Sequence, residues 1–234
     1  MSDKKRGVLY GVSVGPGDPE DMTLKAVRVL NEVPVIASVL TKQGNTLGLD
    51  IAKGSVDLSN KRILELPFLM SRDAEAVQKN HEEHARLIAG ELDAGNDVAM
   101  TSLGDISTFS TFSYVRDILV RQGYEVAVIP GVTSFAASAA KLNVSLTNLN
   151  DPLVVIPASG MPLDEALGLP GTKVLMKSAS KLPEVLQGIR DYGLADRAGL
   201  VQNCGLPNEA VFTDIDDPGI SSTYFTTIII GGQS

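Results

Sequence analysis

Apolar and β-branched residues run from Val8 to Val14, and the run breaks at Gly15-Pro16-Gly17-Asp18-Pro19. Thr23 then stands where a helix cap is expected, with Leu24, Ala26, Val27 and Leu30 on the side predicted to be buried. Val33 to Leu40 reads as a second apolar strand and Ile63 to Leu66 as a short third one. Asp73 to Ala94 has helical spacing, with Ala85, Ile88 and Leu92 among its apolar positions and Gly95 at its end. Asp97 to Thr101 is a strand running into Leu103-Gly104-Asp105; a helix from Phe112 to Arg121 stops at Gly123, and Glu125 to Ile129 is the next strand. Strands alternating with helices of these lengths predict an α/β chain with mostly parallel sheets.

The second half has a different rhythm. Leu153 to Ile156, Lys173 to Met176, Ala198 to Gln202 and Thr223 to Ile230 read as strands, with one clear helix from Leu182 to Tyr192 and several turn-rich stretches between them. This shift points to a domain change near Arg121 to Gly123, dividing the chain into two α/β domains, 1–121 and 122–234. A chain of 234 residues accommodates both, though the length also suits one large domain.

Composition narrows the chemistry. At 44% hydrophobic residues the chain can bury a core without disulfides or a metal, and Cys204, the sole cysteine, excludes an intrachain disulfide and a cysteine-based zinc site. The longest apolar runs, Thr226 to Ile230 and Leu153 to Ile156, are far short of the ~18–20 residues of a membrane span. The N-terminus lacks the apolar core of a signal peptide, so a soluble, cytoplasmic protein is expected. A net charge of −8, with no cationic cluster beyond Lys4-Lys5-Arg6, opposes binding to a phosphate backbone.

Three glycine loops follow strands. The first places Gly11, Gly15 and Gly17 at i, i+4 and i+6, which is not the dinucleotide spacing, and Ser38, Val39 and Leu40 offer no acidic partner for a ribose. No Gly-Lys-Ser/Thr triplet exists for a P-loop. With Leu103-Gly104-Asp105 and Pro130-Gly131-Val132-Thr133-Ser134, these loops point to a ligand cleft at strand C-terminal ends. His81 and His84, three apart in HEEH, read as an exposed polar helix face, and Cys204 as a small strand-end residue. No metal site is expected.

Taken together, the segments resemble the tetrapyrrole (class III) methyltransferases. Val12 to Ala26 is similar to that family's VGxGPGDPxxxTLKA, with Ser13 for the first glycine. Thr101 to Thr111 is similar to xxGDPxxYST, with Ile106 for proline and Phe109 for tyrosine, and Pro130 to Ser134 is similar to PGxTS. Leu66 to Asp73 resembles the FPMTRD segment of the subgroup that methylates C20 of precorrin-2 or cobalt-factor II in cobalamin biosynthesis; Leu103 to Asp105 and Val174 to Lys177 also resemble that subgroup.

The resemblance implies two α/β domains with a cleft between them, a homodimer, and S-adenosylmethionine as co-substrate. It also implies a small-molecule tetrapyrrole partner and neither nucleic acid nor membrane. Cofactor contacts carried over are Pro16, Leu103, Gly104, Asp105, Thr108, Thr133, Ser134 and Met176, with Asn203 and Thr226 at strand ends. Substrate contacts expected are Ser13, Asp18, Arg72 and Lys177; no catalytic base is singled out. Another corrinoid or uroporphyrinogen III methyltransferase, or a non-catalytic tetrapyrrole-binding protein, is the alternative left open.

Overall fold

The computed structural model describes residues 5–41, 44–69, 71, 73–148, 150–158 and 160–231. The chain divides into two compact units, Met1–Thr133 and Ser134–Ser234. The first runs β1 (Leu9–Ser13), α1 (Leu24–Glu32), β2 (Val35–Leu40), α2 (Leu47–Ala52), β3 (Arg62–Pro67), α3 (Ala74–Asp93), β4 (Val98–Ser102), α4 (Phe112–Arg121) and β5 (Val126–Ile129). Its five strands lie in the order β3-β2-β4-β1-β5, and every pairing is parallel. Because β5 pairs with β1, the first unit extends past the expected junction at 121.

Alternation along the strands feeds two cores. Leu9, Val35, Ala37, Val98 and Met100 pack with α3 and α4, whereas Val12, Ile36, Ala99 and Ile129 pack with α1 and α2. The Thr23 hydroxyl caps α1 by accepting from Ala26 N at 3.1 Å. Ala26, Val29 and Leu30 form the buried stripe, at the i, i+3, i+4 spacing of one helix face. Leu24, expected on that face, is 90% exposed. It lies one turn before Arg28 and shares that residue's solvent side.

The second unit contains α5 (Ser134–Leu142), β6 (Leu153–Pro157), α6 (Leu163–Gly168), β7 (Thr172–Met176), α7 (Leu182–Asp191), β8 (Ala198–Gln202), β9 (Ala210–Phe212) and β10 (Thr226–Ile230). Its strand order is β6-β7-β10-β8-β9. Only β6 and β7 pair in parallel; β10 runs antiparallel to both β7 and β8, and β9 antiparallel to β8. The expectation of mostly parallel sheets therefore holds for the first unit and fails for the second. The reason is that the last strand inserts centrally, where Thr-Thr-Ile-Ile-Ile is buried along its whole length. Helices α6 and α7 cover one face through Leu167, Val185 and Ile189.

Candidate functional site

In the first unit, β1 and β4 are neighbours, yet the helices that follow them pack into opposite cores, α1 with Val12 and α4 with Leu9. Their loops therefore part at the C-terminal edge of the sheet, which is where open α/β sheets bind ligands. The two loops are fastened backbone to backbone before they diverge. Gly104 N donates to Gly15 O at 2.7 Å and Gly15 N to Gly104 O at 3.3 Å, with both glycines at left-handed φ, 77° for Gly15 and 68° for Gly104. Side chains are excluded from part of this edge: a Cβ on Gly131 would lie 2.4 Å from Ser13 Cβ and 3.1 Å from Gly104 O.

Asp105 holds the three loops together. One carboxylate oxygen accepts from Ser107 N at 2.9 Å and from the Ser107 hydroxyl; the other accepts from Gly131 N at 2.8 Å and from the Ser13 hydroxyl at 3.5 Å. Burial alone pushes this carboxyl's pKa up. The hydrogen bonds from Ser107, Gly131 and Ser13 outweigh it, so the net shift is downward and the group stays ionised.

Ser13, expected to contact substrate, is fully buried, and its hydroxyl also accepts from Ile106 N at 2.9 Å. Its observed work is to hold the loop. Asp18, the second expected substrate contact, caps a short 3-10 turn by accepting from Glu20 N at 2.9 Å. Ile106, standing where the family pattern has proline, is a core residue that fills the space beside Gly11 with Phe112. Pro16, Gly104 and Asp105 are buried, whereas Leu103, Thr108 and Thr133 are half-buried.

The same sheet edge carries the segment after β3. Asn80 of α3 moors it, accepting from Leu69 N at 2.9 Å and donating to Pro67 O at 3.1 Å. Phe68 tilts against His84 with ring centroids 4.5 Å apart, and His81 stacks on Tyr114 at 4.6 Å. The histidines are thus a correction: they are 6% and 2% exposed and belong to the packed side of α3, not to a solvent face. Burial lowers the pKa of both. Arg72 lies outside the described residues.

In the second unit, register places Thr226 opposite Gln202 and Thr227 opposite Met176, so the ends of β7 and β8 and the start of β10 share one edge. Met176, Asn203 and Thr226, picked out separately in the sequence, meet there; Ser134 opens α5. Lys177 and Asn203 take left-handed φ of 56° and 53° directly after their strands. Asparagine tolerates that region; lysine seldom enters it. Asn203 N donates to Phe225 O at 2.8 Å, and its side-chain oxygen accepts from the Thr223 hydroxyl at 3.2 Å. Thr226 Oγ1 donates to Thr223 O at 2.9 Å and accepts from Gln202 Nε2 at 3.1 Å. These side-chain hydrogen bonds build the corner at this edge. Lys177 is exposed, though partial desolvation of its ammonium lowers its pKa. Ser178 was not singled out in the sequence; it is fully buried and its hydroxyl has no hydrogen-bond partner among the described residues.

The family model for tetrapyrrole (corrin/porphyrin) methylases matches residues 8–218. The chain is 37% identical over 196 residues to a probable cobalt-precorrin-2 C(20)-methyltransferase of Methanocaldococcus jannaschii, covering 81% of this chain and 82% of that one. It is 30% identical to the cobalt-precorrin-2 C(20)-methyltransferase of Salmonella typhimurium, covering 97% of each. Among solved structures, a uroporphyrin-III C-methyltransferase of Thermus thermophilus complexed with S-adenosyl homocysteine superposes with a TM-score of 0.69 at 21% identity, covering 96% of this chain and 92% of that one. The loops at the sheet edges, the order of the motifs and these similarities lead to one assignment: the chain belongs to the tetrapyrrole (corrin/porphyrin) methylase family.

Proposed function

We propose that this chain is an S-adenosylmethionine-dependent C-methyltransferase that methylates C20 of precorrin-2 or cobalt-factor II in cobalamin biosynthesis. The observation that carries the proposal is the 37% identity, over more than four-fifths of both chains, to a relative named for C20 methylation of cobalt-precorrin-2.

S-adenosylmethionine is the methyl donor of the proposed reaction. Left-handed φ at Gly15 and Gly104, and a Gly131 whose Cβ would strike Ser13, let the three strand-end loops approach one another closely. The proposed cofactor contacts are Pro16, Leu103, Gly104, Asp105, Thr108, Thr133, Ser134, Met176, Asn203 and Thr226. Asp105 acts by fixing the loops, since its oxygens are already occupied. When bound, S-adenosylmethionine supplies an electrophilic methyl whose thioether leaving group needs no acid. The protein's task is then to align an electron-rich meso carbon with that methyl, at roughly 3–3.5 Å and in line. For the polycarboxylate substrate, Lys177 and Arg72 are the proposed clamps, with Ser13 and Asp18 reassigned to holding loop structure.

The test is incubation with S-adenosylmethionine and either metal-free or cobalt-loaded precorrin-2, with the new methyl located by mass spectrometry and NMR. A methyl on any other ring carbon, or no S-adenosylhomocysteine at all, rejects the proposal. The family resemblance also supports a homodimer acting in the cytoplasm; sedimentation of the purified chain should give twice the 24.7 kDa chain mass.

A further inference from the structure

Phe109 is one of four non-glycine residues with left-handed φ among the described residues, at 52°. Two of the others are asparagines, which accept that conformation readily. For a phenylalanine it is strained, and such strain persists only where the surroundings impose it. They do so here. On one side, Asp105 gathers Ser107 N and Gly131 N, and Thr108 N donates to Asp105 O at 3.1 Å. On the other, the Ser110 and Ser102 hydroxyls meet at 2.8 Å, and Ser110 Oγ accepts from Phe112 N at 3.2 Å. Ile106 and Phe112 anchor both flanks in the core at 3% and 2% exposure.

Between these buried anchors the Phe109 side chain is 40% exposed. A fold seeking only stability would place glycine or asparagine at this backbone position and keep a large apolar ring out of water. We propose that Phe109 is a substrate-positioning residue, its ring a fixed platform against which the flat face of the tetrapyrrole stacks. The inference rests on the methyltransferase function proposed above. It adds that the macrocycle is recognised through its π-face as well as its carboxylates. An aromatic ring and a conjugated macrocycle gain by offset stacking beyond the area they bury. A platform held in one backbone state loses little entropy on binding. It would set the plane of the ring and thereby which edge carbon meets the methyl.

Three variants test this: Phe109→Ala, Phe109→Leu and Phe109→Gly. For each, KM for the tetrapyrrole, affinity for S-adenosylhomocysteine by calorimetry, and thermal midpoint are measured against the parent. Phe109→Ala is expected to raise the tetrapyrrole KM about 10-fold or more while leaving S-adenosylhomocysteine affinity unchanged. Phe109→Leu, apolar without a π-face, should fall between parent and alanine. Phe109→Gly should melt no lower than the parent, because the strain is relieved, yet handle tetrapyrrole as poorly as alanine. An unchanged tetrapyrrole KM in folded variants overturns the inference, and so does equal loss of both ligands. If the parent itself binds no tetrapyrrole and transfers no methyl, the functional proposal fails and this inference with it; a parent that turns over alongside unaffected variants rejects Phe109 alone.

Discussion

Asp105 spends both carboxylate oxygens on the loops after β1, β4 and β5, which makes it the residue whose chemistry is most sharply constrained. Asp105→Asn keeps the size but turns one oxygen into an N–H donor facing the donors of Ser107 or Gly131. A buried donor left unpaired costs about 1–3 kcal/mol. The variant should therefore melt lower and bind S-adenosylhomocysteine weakly; calorimetry showing parental affinity would dismiss the loop-fixing role. The pH dependence has a definite sign. Because the folded-state pKa of Asp105 is depressed, its contribution is present above the ordinary carboxylate range and is lost as pH falls through the folded value. Parent and variant should thus converge in stability under acid. This role was only half legible in the sequence. Asp105 stood out beside its glycine, but nothing in the spacing showed that Ser13, 92 positions away, completes its hydrogen bonding.

Helix α3 shows how an element's pattern is misread when residue type outweighs position. In the sequence His81 and His84 read as a polar surface because histidine is polar. Yet His81, His84, Ala85, Ile88 and Leu92 all fall on one buried side of the helix, the side that periodicity assigns to the core. Phe68 and Tyr114 supply ring partners that only the fold brings near. The energetic consequence is testable. Desolvation lowers the pKa of both histidines; at His84 the nearby Glu83 opposes that shift and His81 adds to it. The folded state therefore prefers neutral imidazoles. Their contribution is intact above the unfolded value of about 6.5 and is lost as pH falls from there through the folded values. The double variant His81→Phe with His84→Leu should remove much of the drop in thermal midpoint between pH 7.5 and pH 5, measured by calorimetry at both. An equally steep drop in the variant would place the acid sensitivity elsewhere.

At the scale of the whole chain, the doubly wound first unit was readable because each strand–helix pair is local in sequence. The second was harder. Its central strand arrives last, and β9 and the short helix α6 are too brief to register as periodic patterns. What the whole sequence does state is its charge, −8, which leads to a prediction about rates. The proposed substrate is a polycarboxylate, so at long range protein and substrate repel each other, while S-adenosylmethionine, cationic overall, is drawn in. The clamps proposed at Lys177 and Arg72 would offset this only at contact distance. Salt shortens the reach of the repulsion from about 30 Å at 0.01 M to about 8 Å at 0.15 M. Raising ionic strength across that range should increase kcat/KM for the tetrapyrrole by roughly 2- to 10-fold, the size of a modest steering effect. For S-adenosylmethionine the same change should leave kcat/KM flat or lower it. Lys177→Ala should reduce the tetrapyrrole value at every salt concentration without reversing the slope, because it would remove the proposed contact and adds to the net negative charge. Steady-state kinetics at several salt concentrations separates the cases. A tetrapyrrole kcat/KM that falls steadily with salt would mean that local cations, rather than the net charge, govern capture. The clamp at Lys177 and Arg72 would then be far stronger than the overall composition suggests.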